Sequence, residues 1–296
     1  MKTTPAISEV RSQRWQDPSL RWGLVPTMGY LHEGHLSLVR QARAENDRVA
    51  VSIFVNPAQF APTEDLSTYP RDLERDLALL RAEQVDLVFI PETQTIYPPT
   101  FQTYVTVDEV TKRLEGASRP THFRGVATVV AKLFNIFQPH RAYFGQKDAQ
   151  QTIVIQRMVQ DLNFNLKIII GPTVREADGL ALSSRNKYLT PAERAAAPIL
   201  HRALLKTEYL FRAGERNADR LRQTIKETIA QEPLARLDYV SIADAQTLAE
   251  LTTLDRPALT SLAVFFGKTR LIDNLVLGKE SYQAVIGQQA TTKPVA

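Results

Sequence analysis

Apolar positions along this chain follow two alternating rhythms. Short, mainly apolar runs occur at 22–26, 49–55 (VAVSIFV, nearly all apolar and β-branched), 85–90, 141–145 and 166–170. Such runs suit strands covered on both faces. Between them apolar residues recur at helical spacing: Leu73, Leu77 and Leu80; Val126, Val130, Leu133 and Phe137; Ile155, Met158, Val159 and Leu162. Strands alternating with helices predict a parallel sheet with right-handed crossovers. Ligands of such sheets bind at the carboxyl ends of the strands, where the strand order reverses.

The rhythm changes after about residue 175. Segments 191–212 and 215–231 predict helices, the first opened by Thr190 as N-cap and Pro191 at the first helical position. Segments 237–243, 259–266 and 269–277 predict strands, the last two joined by Gly267 and Lys268 as a hairpin. The expected fold class is therefore α/β: a Rossmann-like parallel-sheet domain over 1–175, with a smaller C-terminal α+β domain over 176–279 that closes on it as a lid. Residues 280–296 are rich in Gln, Thr and Ala, lack a period, and read as a flexible tail or linker. No internal repeat is present in the sequence.

Composition narrows the chemistry. The 296 residues include no cysteine, which removes disulfides, thiolate metal sites and cysteine nucleophiles. No stretch approaches the ~20 apolar residues of a membrane span, and residues 1–20 lack the apolar core of a secretory signal. A cytoplasmic location is expected. The net charge of +4 is a weak pointer to nucleic acid. No basic stripe with interleaved aromatics is present, and Arg119, His122 and Arg124 form only a short cluster that suits a loop or a subunit contact. His140 and His201 read as structural or exposed.

Three segments carry chemistry. In VPTMGYLHEGH, residues 25–35, a short strand ends in a turn at Gly29, and His32 and His35 flank Gly34 as a helix begins. Imidazoles three residues apart share a helix face. A helix start offers unpaired N–H groups that favour phosphate, and Gly34 allows close approach. The same residues could simply cap a turn; no third ligand sits at helical spacing for a metal. In DGLALSSRNK, residues 178–187, Ser183, Ser184, Arg185 and Lys187 could clamp a triphosphate or form a solvated loop. In FGQKDAQQ, residues 144–151, Lys147 could bind phosphate and Asp148 ribose hydroxyls, or Gly145 and Asp148 could shape a turn and open a helix.

Taken in order, these segments resemble the H-x-G-H nucleotidyltransferase superfamily. The strings VPTMGYLHEGHLSLVR, SIFVNPAQF, DLSTYPR, RPTHFRGVATVV, AYFGQKDAQQ, PTVREADGLALSSRN and TRLIDN extend the resemblance to the pantothenate synthetase (pantoate–β-alanine ligase) family, over roughly residues 20–277. Gln146 departs from the Glu of many members.

The resemblance implies ATP-dependent condensation of pantoate with β-alanine through a pantoyl adenylate, releasing AMP and pyrophosphate, with Mg²⁺ accompanying ATP and no metal site on the protein. It assigns His32 and His35 to the ATP phosphates and the transition state. Lys147, Ser183, Ser184 and Arg185 bind phosphates and complete the catalytic set. The Met28 backbone lies near the reacting groups, Gly145 and Asp148 hold ribose, and the Val174 backbone reads adenine. Gln59 and Gln151 hold pantoate, supported by Asn56. Judged by chemistry alone, Gln59 reads as an exposed loop residue.

The loop 61–69 is a candidate lid. The resemblance also implies a homodimer, and in some members a downstream cytidylate kinase fused through a tail such as 280–296. The alternative enzyme is an H-x-G-H nucleotidyltransferase that adenylates another cofactor precursor, which needs a cationic acceptor side. A tRNA ligase lacks its anticodon-binding region here. A nucleotide-sensing or RNA-binding module would bind without turnover.

Overall fold

The computed structural model describes residues 1–61 and 66–278. Residues 62–65 of the candidate lid and the tail 280–296 lie outside the described residues. The chain divides into two compact units: Met1–Arg175 with Leu182–Ser184, and Glu176–Ala181 with the residues from Arg185 onward.

In the first unit the elements run β1 (Lys2–Thr4), α1 (Ile7–Trp15), β2 (Trp22–Thr27), α2 (Glu33–Glu45), β3 (Arg48–Ile53), α3 (Leu73–Ala82) and β4 (Leu87–Phe89). They continue through α4 (Thr93–Ile96), α5 (Glu115–Ser118), α6 (His122–Phe137), β5 (Arg141–Gly145), α7 (Ala149–Asp161) and β6 (Lys167–Gly171). The six strands form one sheet in the order β1-β4-β3-β2-β5-β6, and every pairing is parallel.

Alternate residues of the inner strands enter different cores, which is why these strands read as unbroken apolar runs. Leu24, Ala50, Leu87, Phe89, Ala142 and Phe144 pack with Val10, Val126, Val130, Phe134 and Ile155 of α1, α6 and α7. Val25, Val49, Val51, Val88 and Tyr143 pack with Leu38, Val39, Ala42 and Leu80 of α2 and α3.

The order reverses at β2. From β2 the chain steps outward to β3 and β4, then returns to the other side of β2 with β5. Pairing of β2 with β5 is confined to Gly23↔Arg141 and Leu24↔Ala142. The carboxyl halves of the two strands are thus left without a ladder between them, and a ligand of an open α/β sheet is placed at this reversal.

The second unit contains α8 (Pro191–Ala196), α9 (Ile199–Arg212), α10 (Ala218–Ile229) and an antiparallel sheet β7 (Ala235–Asp244), β8 (Ala258–Phe266) and β9 (Thr269–Leu277), in that order. Leu200, Ala203, Leu204, Ile225, Ile229, Leu262, Val264 and Phe266 form its core. The β8–β9 turn places Gly267 at φ 55°, where a Cβ would also meet the Glu193 carboxylate at 2.3 Å.

Two expectations change here. Segment 191–212 is two helices, because Pro198 has no N–H to continue the α8 ladder and caps the start of α9 instead. The short strand β1 and helix α1 were not anticipated. β1 has three residues and owes its form to pairing with Leu87, Val88 and Phe89.

Candidate active site

The turn between β2 and α2 carries the two histidines. His32 is the N-cap of α2, and its Nδ1 accepts the Gly34 N–H at 3.2 Å. His35, at the third helical position, accepts the His32 N–H on its own Nδ1 at 3.3 Å. The two residues form a capping box in which imidazoles stand where Ser and Glu are more usual. Their ring centroids lie 4.1 Å apart. Gly34 serves the cap: a Cβ there would press on the His32 ring at 3.0 Å. The capping reading and the shared-face reading both hold.

This geometry fixes the protonation pattern. A ring nitrogen that accepts an N–H carries no proton, so each neutral ring bears its hydrogen on Nε2. Burial, then the charge of Lys147, holds the pKa of His32 down to about 4. Burial, then neighbouring His32, holds that of His35 down to about 3. At neutral pH both rings are uncharged Nε2–H donors, with the positive charges of Lys147 and Arg75 acting on His32.

Lys147 and Asp148 follow β5 in a 3-10 turn, Gln146–Asp148, with the ammonium 3.3 Å from the Asp148 carboxylate. Their charges act on both histidines, Lys147 lowering and Asp148 raising the pKa of each. The structure therefore brings His32, His35, Lys147 and Asp148 together at the carboxyl ends of β2 and β5. Gly145 is the last residue of β5, and a Cβ there would touch nothing within 4 Å. Gly145 is thus not required by crowding.

Gln59 lies in the 3-10 turn Pro57–Gln59 after β3 and is 8% exposed, which corrects its reading as an exposed loop residue. Its Nε2 contacts the Met28 sulfur at 3.0 Å, and its Oε1 accepts from Asn56 Nδ2 at 3.0 Å. Asn56 is buried and fully engaged. Its Nδ2 also donates to the Gly125 carbonyl at 3.1 Å, while its Oδ1 accepts from Ala58 N–H and the Tyr97 hydroxyl. Gly125 is required here: a Cβ would fall 2.2 Å from the Ala58 carbonyl oxygen.

Arg119 and His122 both hold the Gln59 carbonyl, at 3.3 and 2.9 Å, so they brace this turn. Arg124 instead stacks on Tyr104. Gln151 lies in the first turn of α7, beside buried Gln150. His140 is structural, accepting the Trp22 N–H on Nδ1 at 3.0 Å; His201 lies beside Gly179.

Val174 follows β6, with its carbonyl bonded to the Leu182 N–H at 3.0 Å. Ser183 and Ser184 belong to the first unit, where the Ser184 hydroxyl lies 3.4 Å from that of Tyr69. Arg185 belongs to the second unit. Tyr97 had no signal in the sequence, since its partner Asn56 lies 41 residues away; Arg119 and His122 showed only as a short cluster, because the Gln59 carbonyl they hold lies 60 and 63 residues back.

Two histidine donors at a helix start, beside a lysine at the strand-order reversal of a parallel sheet, mark the chain as an α/β enzyme of the ligase class. The family profile described as Pantoate-beta-alanine ligase matches residues 1–276, and the chain belongs to that family. It is 61% identical over 277 residues to a pantothenate synthetase of Roseiflexus sp. (strain RS-1), covering 94% of this chain and 99% of that one. It is 59% identical to a pantothenate synthetase of Herpetosiphon aurantiacus, with coverage of 94% and 100%.

Among solved structures, pantothenate synthetase from Thermus thermophilus superposes with a TM-score of 0.89 at 49% identity, covering 93% of this chain and 99% of that one. A pantoate-beta-alanine ligase from Francisella tularensis, described as complexed with beta-gamma ATP and beta-alanine, gives 0.76 at 38% identity, with coverage of 93% and 97%. The alternative of a nucleotidyltransferase for another cofactor precursor is not favoured by these matches. Among the described residues no helix is long and apolar enough to cross a membrane.

Proposed function

We propose that the chain condenses pantoate with β-alanine through a pantoyl adenylate formed at the β2–β5 reversal. The observation that carries this is the His32–His35 capping box, with both Nδ1 atoms engaged and both Nε2 atoms left as donors, beside Lys147. Hydrogen-bond donors and a fixed cation can follow negative charge from the α-phosphate onto departing pyrophosphate. In the first step a pantoate carboxylate oxygen attacks the α-phosphorus of ATP, and the bond to the β-phosphate oxygen breaks. In the second step the neutral amine of β-alanine attacks the acyl carbon. The acyl–oxygen bond breaks, the nitrogen gives up a proton, and AMP leaves. Neither step uses an enzyme nucleophile, so alignment and charge stabilisation carry the catalysis.

In this reading His32, His35, Lys147, Ser183, Ser184 and Arg185 serve the phosphates. Gly145 and Asp148 take the ribose, and the Val174 backbone takes the adenine. The Gln59 and Gln151 amides hold pantoate, with Asn56 fixing Gln59. Gln59 is held by a thioether and another amide, which suits the neutral hydroxyls of pantoate better than an acceptor phosphate. ATP enters as its magnesium complex, and the site's N–H and ammonium donors meet its phosphate oxygens. The use of ATP and β-alanine is supported by the Francisella relative's complex.

The same proposal includes a homodimer and a cytoplasmic location, tested by light scattering and by cell fractionation. A fused downstream cytidylate kinase depends on residues 280–296, and the adjoining reading frame decides it. The direct test is pantoate-dependent exchange of labelled pyrophosphate into ATP without β-alanine. Exchange is expected. Its absence in a folded, ATP-binding protein overturns the adenylate route.

A further inference from the structure

We infer that Asp76, on α3, is a positioning residue that sets the histidine turn for adenylate formation. This rests on the proposed role of His32 and His35. Asp76 is almost wholly buried and belongs to none of the chemistry-bearing segments. Its two carboxylate oxygens accept successive backbone N–H groups of the turn, Oδ2 from Tyr30 and Oδ1 from Leu31, each at 2.7 Å. These are the residues immediately before the His32 N-cap.

The turn needs such an anchor. Gly29 has φ 79° and Tyr30 has φ 50°, so two consecutive residues occupy the left-handed region, one of them bulky. A charge-assisted bond to each following N–H holds that shape. Neighbouring Arg75 grips the same turn: its guanidinium donates to the Leu31 carbonyl at 3.0 Å and lies 5.6 Å from the Tyr30 ring centroid and 4.0 Å from the Asp76 carboxylate. The fit is close, for a Cβ on Gly29 would stand 3.1 Å from Asp76 Oδ2 and 3.0 Å from Ile53. Helix α3 therefore fixes where α2 begins, and with it the two imidazoles.

The test is Asp76→Asn, which keeps the shape but has one acceptor where two N–H groups need one each. Pyrophosphate exchange and imidazole ¹⁵N spectra of His32 and His35 are recorded for wild type and variant. The expected result is a fall in kcat of about a hundredfold, the scale of a small misplacement, with KM for ATP and pantoate nearly kept and both imidazole signals displaced. A second variant, Gly29→Ala, disturbs the same contact from the turn side and should show the same split if D76N does not fold.

Wild-type kcat, or a loss confined to KM with unmoved imidazole signals, overturns the inference. Exchange by the wild-type enzyme tests the underlying reading separately. If it shows none, the imidazole spectra still report whether Asp76 sets the rings.

Discussion

The Nδ1 of His35 accepts the backbone N–H of His32 at 3.3 Å. One residue of the pair thereby holds the helix end on which the other sits, and both rings are left with Nε2 as donor.

The two roles of His35 separate by substitution. His35→Ala should lower adenylate formation by about 2–4 kcal/mol, the scale for losing a transition-state donor, and lower stability by about 1 kcal/mol for the lost cap. His35→Asn places an amide oxygen near Nδ1 and has nothing at Nε2. It should restore stability while leaving exchange as slow as in the alanine variant. Pyrophosphate exchange and chemical denaturation read the two effects; recovery of exchange in the asparagine variant defeats the donor role.

The pH response follows from the depressed values. An unfolded histidine titrates near 6.5, whereas the folded rings titrate near 4 and 3. As pH falls below 6.5 the unfolded state takes up protons first. The stability from these rings, fully present above 6.5, is therefore lost as pH falls through the folded values. Ring-carbon shifts of His32 and His35 in the free protein should stay flat from pH 8 to 5.5. A midpoint near 6.5 for either ring contradicts the neutral-donor account.

Asn56→Ala should be costly without touching a charge. It strips partners from Gln59 Oε1, the Gly125 carbonyl, the Ala58 N–H and the Tyr97 hydroxyl. Each buried group left unpaired costs about 1–3 kcal/mol, less where it finds another partner. We expect a loss of about 2–4 kcal/mol in denaturant unfolding and a raised KM for pantoate, with KM for ATP unchanged.

Gly125→Ala tests the close approach of α6 to the Gln59 turn. The added Cβ meets backbone on every near side: Ala58 oxygen at 2.2 Å, Ala58 carbon at 2.4 Å and Gln59 nitrogen at 2.6 Å. No side-chain rotation relieves this, so helix or turn must move. Overpacking of this kind costs about 1–3 kcal/mol. KM for pantoate should rise with the destabilisation; an unchanged KM would mean the turn is not part of that site.

The parallel sheet was legible because each inner strand is buried on both faces and its apolar run needs no context. The histidine pair was legible for the opposite reason, since both partners lie within one helical turn. Asp76 was not: it sits in a run of charged residues, and its partners, Tyr30 and Leu31, lie 46 and 45 residues away. Gln59 was hidden because a neutral amide carries no hint of burial. The break at Pro198 was visible as a residue, but the alanines before it favour helix strongly enough to read straight through.

The chain passes between its two units three times, after Arg175, Ala181 and Ser184. No single cut in the gene therefore yields both units whole. A fragment ending at 175 surrenders Ser183 and Ser184, whereas one ending at 184 carries off Leu180, which belongs in the second unit's core. A chimera of two relatives joined at any one point therefore mixes the parents within at least one unit.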